Sequence, residues 1–133
     1  MAWIDKKKKI LIVDDEVDSV HFLEKILRRK NYEVISTTKG AEAEALAKKH
    51  LPDIAILDIV MPDMEGSEVA AALRQHPAMA SIPIILLSGM VVRKEEQSLK
   101  DVPGKQYVLA KPVTSPEIIE VVEKALAEKE SKE

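Results

Sequence analysis

Five polar side chains stand directly behind short apolar runs in this sequence. Asp14 and Asp15 follow the first run, and Asp58 follows the third. Ser88 ends the fourth run and Lys111 the fifth. If the runs are parallel strands, their carboxyl ends meet at one edge of the sheet, so three carboxylates, a hydroxyl and an ammonium share one pocket.

Such a pocket holds the groups that phosphoryl transfer requires. Packed carboxylates repel one another unless one is protonated or a cation lies among them, and hard oxygen ligands suit Mg²⁺. A lysine opposite a hydroxyl supplies contacts for an anionic group, and transfer depends mainly on positioning and charge neutralisation. A carboxylate can itself be the nucleophile and form an aspartyl phosphate. These residues therefore predict a phosphoryl-accepting site with Mg²⁺ as its cofactor.

The apolar runs have the pattern of buried parallel strands. They are rich in Ile, Leu and Val with almost no alternation, which is typical of strands covered on both faces. The runs are residues 10–13, 34–37, 54–57, 84–87 and 107–110.

Segments between the runs repeat apolar residues at steps of three and four, which predicts helices. These helices cover residues 17–30, a segment before His50 and a segment before His76. The last helix is predicted to start at Ser115 as its cap, with Pro116 in the first turn. After Gly89 the pattern is weaker and predicts only a short helix near residues 94–100.

This (βα)₅ alternation predicts an α/β fold with right-handed crossovers. We expect a doubly wound parallel sheet of five strands in the flavodoxin-like order 2-1-3-4-5. The length of 133 residues fits a single domain with a core over about residues 8–128. The polar end from Ala127 is expected to fray.

Composition excludes several classes of protein. The 20 basic and 23 acidic side chains leave no basic excess for direct nucleic-acid binding. The absence of cysteine excludes disulfides and thiolate chemistry. The apolar run after Lys9 ends at Asp14, too soon for a signal-peptide core, and no stretch is long enough for membrane insertion. We therefore expect a cytoplasmic protein.

Four segments of the chain resemble the signature segments of response-regulator receiver domains, in the same order and with similar spacing. They are I-L-I-V-D-D-E (10–16), L-D-I-V-M-P-D-M-E-G (57–66), P-I-I-L-L-S-G (83–89) and L-A-K-P (109–112). One such segment is weak support, whereas four in register are strong.

The resemblance implies a role for each residue of the pocket. Asp58 becomes the phosphoryl acceptor, with Asp15 as a direct Mg²⁺ ligand and Asp14 acting mostly through water. The backbone carbonyl of Val60 completes the metal site. Lys111 contacts the phosphoryl group, and its bond to Pro112 is expected to be cis. Ser88 moves in to hydrogen-bond the group after transfer.

The resemblance also implies partners and a mode of action. The chain acts as a phosphorylation switch in two-component signalling, not as an enzyme with a substrate of its own. Its phosphoryl donor is a histidine kinase or a histidine phosphotransfer protein, and its output is a change of contact with a downstream protein. The three histidines lie away from the pocket and receive no phosphohistidine role.

One departure concerns the switch itself. Receivers usually carry Tyr or Phe three positions before the lysine, where this chain has Val108. Tyr107 is one position earlier and points to the other face of a regular strand, so only a bulge could re-aim it. Val60 and Met90, which flank the acceptor and the hydroxyl, offer no base to activate water. We therefore predict a long-lived phosphoryl group.

Other interpretations of the same residues stay open. Asp14–Asp15 and Asp58 are also ordinary turn and helix-start residues, and Lys111 is also explained as a surface lysine. A pseudo-receiver that docks partners without phosphorylation is the main alternative function, and Val108 favours it. Two further classes fit poorly. A haloacid-dehalogenase-type phosphatase requires a second Asp two positions after its nucleophile, and Glu16 occupies that position after Asp14. A flavodoxin-like flavin carrier requires a first loop rich in Gly, Ser and Thr, whereas this loop reads D-D-E-V-D.

Overall fold

The computed structural model describes residues 7–89 and 106–131. Within them lie the five predicted strands, and helices alternate with them except between the fourth and fifth strands, where residues 90–105 are outside the described part. The strands are β1 (Lys9–Val13), β2 (Glu33–Thr37), β3 (Ile54–Asp58), β4 (Ile84–Ser88) and β5 (Gln106–Ala110). The α-helices are α1 (Val17–Arg29), α2 (Ala43–His50), α3 (Gly66–Arg74) and α4 (Ser115–Ser131), with 3₁₀ turns at Gly40–Glu42 and Pro77–Met79. The short helix predicted near residues 94–100 lies outside the described residues.

All five strands are parallel and lie in the order β2-β1-β3-β4-β5, which confirms the predicted doubly wound sheet. The central strand β3 is buried along its whole length, and so is β4. The edge strands β2 and β5 are only partly covered. Burial therefore follows strand position, because a central parallel strand has helices on both faces and a neighbour on each side.

The sheet separates two apolar cores. Alternate residues of β1 point to opposite faces, so Ile10 and Ile12 pack with α1 and α4, whereas Leu11 and Val13 pack with α2 and α3. Burying a side chain of this size contributes about 1.5–3 kcal/mol, so the two cores hold the strand ends in fixed register. This rigidity matters because the predicted pocket is assembled from the ends of different strands.

The last helix differs from its prediction at its start. Its first residue is Ser115, but the cap is Thr114, whose hydroxyl accepts the N–H of Glu117 at 3.3 Å while the Glu117 carboxylate accepts the N–H of Thr114 at 2.9 Å. This reciprocal capping box requires a spacing of three residues, which Thr114 has and Ser115 lacks. The helix also extends to Ser131, beyond Ala127 where the polar end begins, while the fraying of that end stays a prediction.

No helix within residues 7–89 and 106–131 combines the length and the apolar composition that crossing a bilayer requires.

Candidate functional site

The carboxyl ends of β1 and β3 bring three carboxylates together. Asp14 follows β1 and is fully buried, and Asp58 ends the adjacent strand β3 with only 4% of its surface exposed. Oxygen atoms of Asp14, Asp15 and Asp58 lie within 4.8 Å of one another. The Glu16 N–H donates to Asp14 Oδ1 at 3.0 Å, which orients that carboxylate. The predicted acidic cluster is therefore present at the predicted sheet edge.

Lys111 enters the same pocket from the end of β5. Its backbone N–H donates to the Ser88 carbonyl at 2.7 Å, and its bond to Pro112 is cis, as predicted. Its ammonium Nζ lies 3.3 Å from Asp58 Oδ2 and 3.1 Å from Asp14 Oδ2. These contacts rule out Lys111 as a mere surface lysine, because its charge is directed at the two buried carboxylates.

Burial and charge perturb the acid–base equilibria of the pocket. Burial, followed by the nearby Asp14 charge, raises the pKa of Asp58 to about 6, although Lys111 acts in the opposite direction. Burial alone would lower the pKa of Lys111, but its close contacts with the carboxylates of Glu16 and Asp14 outweigh burial, so the pKa of the ammonium is raised. The positive charge of Lys111 therefore does not offset burial and the Asp14 charge, and Asp58 remains a weaker acid than an ordinary aspartate.

The donor set fits a hard divalent cation. Asp14 Oδ2 is buried and accepts no well-aligned hydrogen bond from any described residue, although Lys111 Nζ lies close to it. A cation among the three carboxylates would satisfy this oxygen and relieve the repulsion by Asp14, which adds to burial in raising the pKa of Asp58. Carboxylate oxygens with room for water are the ligands that Mg²⁺ prefers.

Ser88 and Val60 flank the acidic cluster. Ser88 ends β4 and is buried, one position beyond Leu87, the residue paired with Asp58. Val60 is exposed, and its N–H donates to Asp58 Oδ1 at 3.4 Å. Apart from its chain neighbours, no residue within the described ranges 7–89 and 106–131 lies within 4 Å of the position where a Cβ of Gly89 would stand, so these residues leave the approach beside Ser88 open.

The loop between β3 and α3 packs closely against the acceptor. A Cβ added at Gly66 would lie 2.3 Å from the Asp58 carbonyl oxygen, so only glycine fits. The Gly66 N–H also donates to the Ile59 carbonyl at 2.8 Å. Asp63 in the same loop accepts the N–H groups of Gly40 and Ala41, and this hydrogen bonding lowers its pKa. The loop is thereby fixed at both ends and holds Asp58 in place.

The structure places Tyr107 on the face opposite Val108. Strand β5 pairs with β4 in continuous register, so no bulge re-aims Tyr107 within the described strand. Tyr107 packs in the core beneath α1 and α4, and its hydroxyl donates to the Glu128 carboxylate. Val108 packs on the side of α2 and α3. The usual aromatic position is therefore aliphatic in this chain.

One contact of the site was missed in the sequence. Glu16 Oε1 lies 3.0 Å from Lys111 Nζ, closer than either buried aspartate. The hydrogen bond from Lys111 is the main reason that the pKa of Glu16 is lowered. The only sequence signal was a third acidic residue directly behind Asp14 and Asp15, which is equally typical of a helix start.

A groove opens beside the site, between α1 and the turn that follows β5. Its volume is about 510 Å³. Its walls are mainly apolar, with Glu16 and Lys111 at the end that borders the acidic cluster. The lining residues are Glu16, Asp18, Ser19, Phe22, Leu23, Leu87, Gly89, Lys111, Pro112 and Val113.

Comparison with known proteins agrees with this geometry. The profile of the response regulator receiver domain matches residues 10–123. The polar-differentiation response regulator DivK of Brucella anthropi is 28% identical over 121 residues, which cover 91% of this chain and 98% of DivK. Chemotaxis protein CheY4 of Vibrio cholerae superposes with a TM-score of 0.82 at 28% identity, covering 90% of this chain and 99% of CheY4. A response regulator from Desulfuromonas acetoxidans gives 0.78 at 28% identity, with 90% and 97% covered.

Proposed function

Because the chain belongs to the response regulator receiver domains of two-component signalling, we propose that it accepts a phosphoryl group on Asp58 with the help of Mg²⁺. The observation that carries this proposal is the convergence of the buried Asp14 and Asp58 carboxylates on Lys111 Nζ at 3.1 and 3.3 Å. Receiver domains generally bind Mg²⁺ in an acidic pocket, and the cluster of Asp14, Asp15 and Asp58 is such a pocket.

The acceptor chemistry uses groups that the fold holds ready. An oxygen of the ionised Asp58 carboxylate attacks the phosphorus of a phosphohistidine. A new O–P bond forms as the N–P bond breaks, and the imidazole nitrogen leaves with the electron pair of that bond. Lys111 neutralises charge on the transferred oxygens. Asp15, Asp58 and the Val60 carbonyl would hold Mg²⁺, with Asp14 acting mostly through water, and the bound ion would supply further neutralisation.

Ser88 and the partner proteins have the remaining roles. Ser88 donates its hydroxyl to the phosphoryl group after transfer, which draws the end of β4 toward Asp58. The donor is a histidine kinase or a histidine phosphotransfer protein, and the recipient of the signal is a downstream protein. The chain takes one phosphoryl group and then presents a changed surface to its partner, so it is a switch and not an enzyme acting on a separate substrate. This role belongs in the cytoplasm, where ATP charges the donor histidine.

Val108 favours one alternative, a pseudo-receiver that docks its partners without phosphorylation. An aliphatic residue at this position removes the ring that would otherwise turn inward, so uptake of phosphate and transmission of the signal are separable questions. The buried acceptor, the adjacent aspartates and the directed lysine argue for uptake. In that case other elements around the pocket would transmit the signal.

Intact mass after incubation with Mg²⁺ and acetyl phosphate tests the proposal. The wild-type chain should gain one phosphoryl group, and Asp58→Asn should gain none. Asp18→Asn is the matched control, since it removes an exposed carboxylate of α1 outside the acidic cluster and should behave as wild type. Chelation with EDTA should abolish uptake. An unmodified wild-type chain would refute the proposal and favour the pseudo-receiver, whereas equal uptake by Asp58→Asn would refute the role of Asp58 and place the phosphoryl group on another residue.

A further inference from the structure

We propose that Glu16 is a positioning residue that restrains Lys111 and thereby weakens its hold on the phosphoryl group. This inference rests on the proposed function and concerns a residue that the acceptor chemistry leaves unassigned. It starts from the position of Lys111 Nζ, which lies between Glu16 at 3.0 Å on the outside and the buried carboxylates of Asp14 and Asp58 on the inside.

Glu16 is well fixed for an exposed residue. Its Oε1 accepts hydrogen bonds from both Lys111 Nζ and the Ser19 hydroxyl, at 3.0 and 3.2 Å. Its N–H donates to Asp14 Oδ1, and its carbonyl accepts the N–H of Val20 in the first turn of α1 at 3.1 Å. The side chain is therefore anchored to the start of α1 even though 62% of it is exposed. It holds Lys111 at the end of the groove that borders the pocket.

The ammonium has three hydrogens, and three carboxylates of the described residues lie within 3.3 Å of it, those of Glu16, Asp14 and Asp58. A phosphoryl group on Asp58 replaces the carboxylate that Lys111 now contacts at 3.3 Å and offers several anionic oxygens, so a closer hold on the group must come at the expense of the contact with Asp14 or with Glu16. Asp14 is buried and loses much by being left without a partner, whereas Glu16 can return to water. The contact with Glu16 is therefore the one exchanged. Since Glu16 competes with the phosphoryl group for the same ammonium, it slows capture of the group and favours its loss.

Replacing Glu16 with glutamine tests this competition. Glutamine keeps the length of the side chain and an oxygen that can accept from Ser19, but it removes the charge that attracts Lys111. With saturating Mg²⁺, Glu16→Gln should bind beryllofluoride about threefold more tightly than wild type, the size expected for loss of an exposed ion pair. Its rate of phosphorylation by acetyl phosphate should rise by a similar factor. Calorimetry and intact mass measure the two effects.

Two matched variants separate positioning from general charge. Asp18→Asn removes a carboxylate that lines the same groove and makes no ion pair with Lys111 among the described residues, so it should leave the affinity unchanged. Ser19→Ala removes the second anchor of Glu16 and should give an intermediate gain. Thermal unfolding checks that each variant is folded. The gain should also persist at about 0.5 M salt, where attraction over longer distances is screened.

The outcomes are distinct. A wild-type chain that takes up neither beryllofluoride nor phosphate overturns the proposed function, and this inference with it. A functional wild type with no gain in Glu16→Gln, or with an equal gain in Asp18→Asn, overturns the inference alone. An ordered series from wild type through Ser19→Ala to Glu16→Gln supports it.

Discussion

Asp58→Asn should make the metal-free protein more stable at neutral pH. The buried Asp58 carboxyl has a pKa raised from 3.8 to about 6, mainly by burial and then by Asp14. An acid whose pKa is raised by folding stabilises the folded state when protonated. That stability is fully present below about pH 4 and is lost as the pH rises through about 6. Above this range the ionised Asp58 destabilises the fold, and an uncharged asparagine removes the penalty.

The size of the effect follows from the shift. Each pKa unit corresponds to about 1.4 kcal/mol, so a shift of this extent sets an upper limit near 3 kcal/mol. Local relaxation and the retained contacts of Lys111 reduce it, and we expect about 2 kcal/mol at pH 8. For a domain of this size that gain raises the Tm by roughly 8 °C.

Urea unfolding in EDTA between pH 4.5 and 8 is the appropriate assay. The stability difference between Asp58→Asn and wild type isolates Asp58, because other titrating groups are common to both proteins. It should be small at pH 4.5 and grow with a midpoint near pH 6. Added Mg²⁺ should stabilise wild type more than the variant by mass action. If the variant is no more stable than wild type at pH 8, burial and the Asp14 charge do not raise the pKa of Asp58 enough to destabilise the fold.

Three further predictions concern the surroundings of the acceptor. Gly66→Ala should cost about 1–3 kcal/mol and slow phosphorylation, because its methyl group would displace the Asp58 backbone. In Gly89→Ala the methyl group meets none of the described residues beyond its chain neighbours, so stability in urea unfolding should change by less than about 0.5 kcal/mol. Tyr107→Phe should cost about 1 kcal/mol through the lost hydrogen bond of its hydroxyl and leave uptake of phosphate unchanged by intact mass. The phosphorylated wild type should persist for minutes or longer, since the apolar Val60 offers no base, and decay within seconds contradicts this reasoning.

Much of the fold was predictable because its pattern is local. Runs of Ile, Leu and Val without alternation define buried parallel strands, and each strand of the sheet lies within one or two residues of its predicted run. The convergence of Asp14, Asp58 and Lys111 followed from topology alone, because the carboxyl ends of parallel strands share one edge. The opposite orientations of Tyr107 and Val108 followed from the pleat of a regular strand.

Other features depended on distances that no local pattern contains. Glycine is required at position 66 because of the close approach of the Asp58 backbone, which the residue type alone does not reveal. Thr114 rather than Ser115 caps the last helix because hydrogen-bond geometry, and not residue preference, selects the cap.

By itself the sequence determined the fold class, the family and the identity of the acidic cluster, since these depend on residue type and on strand order. Only the tertiary structure decided which charged side chains contact one another and how far their pKa values move. Glu16 and Lys111 are 95 positions apart, and their contact exists because β5 ends beside the start of α1. The raised pKa of Asp58 likewise arises from burial and from a neighbour on another strand. Electrostatic energies depend on separation and solvent exposure, and both are set only when the chain has folded.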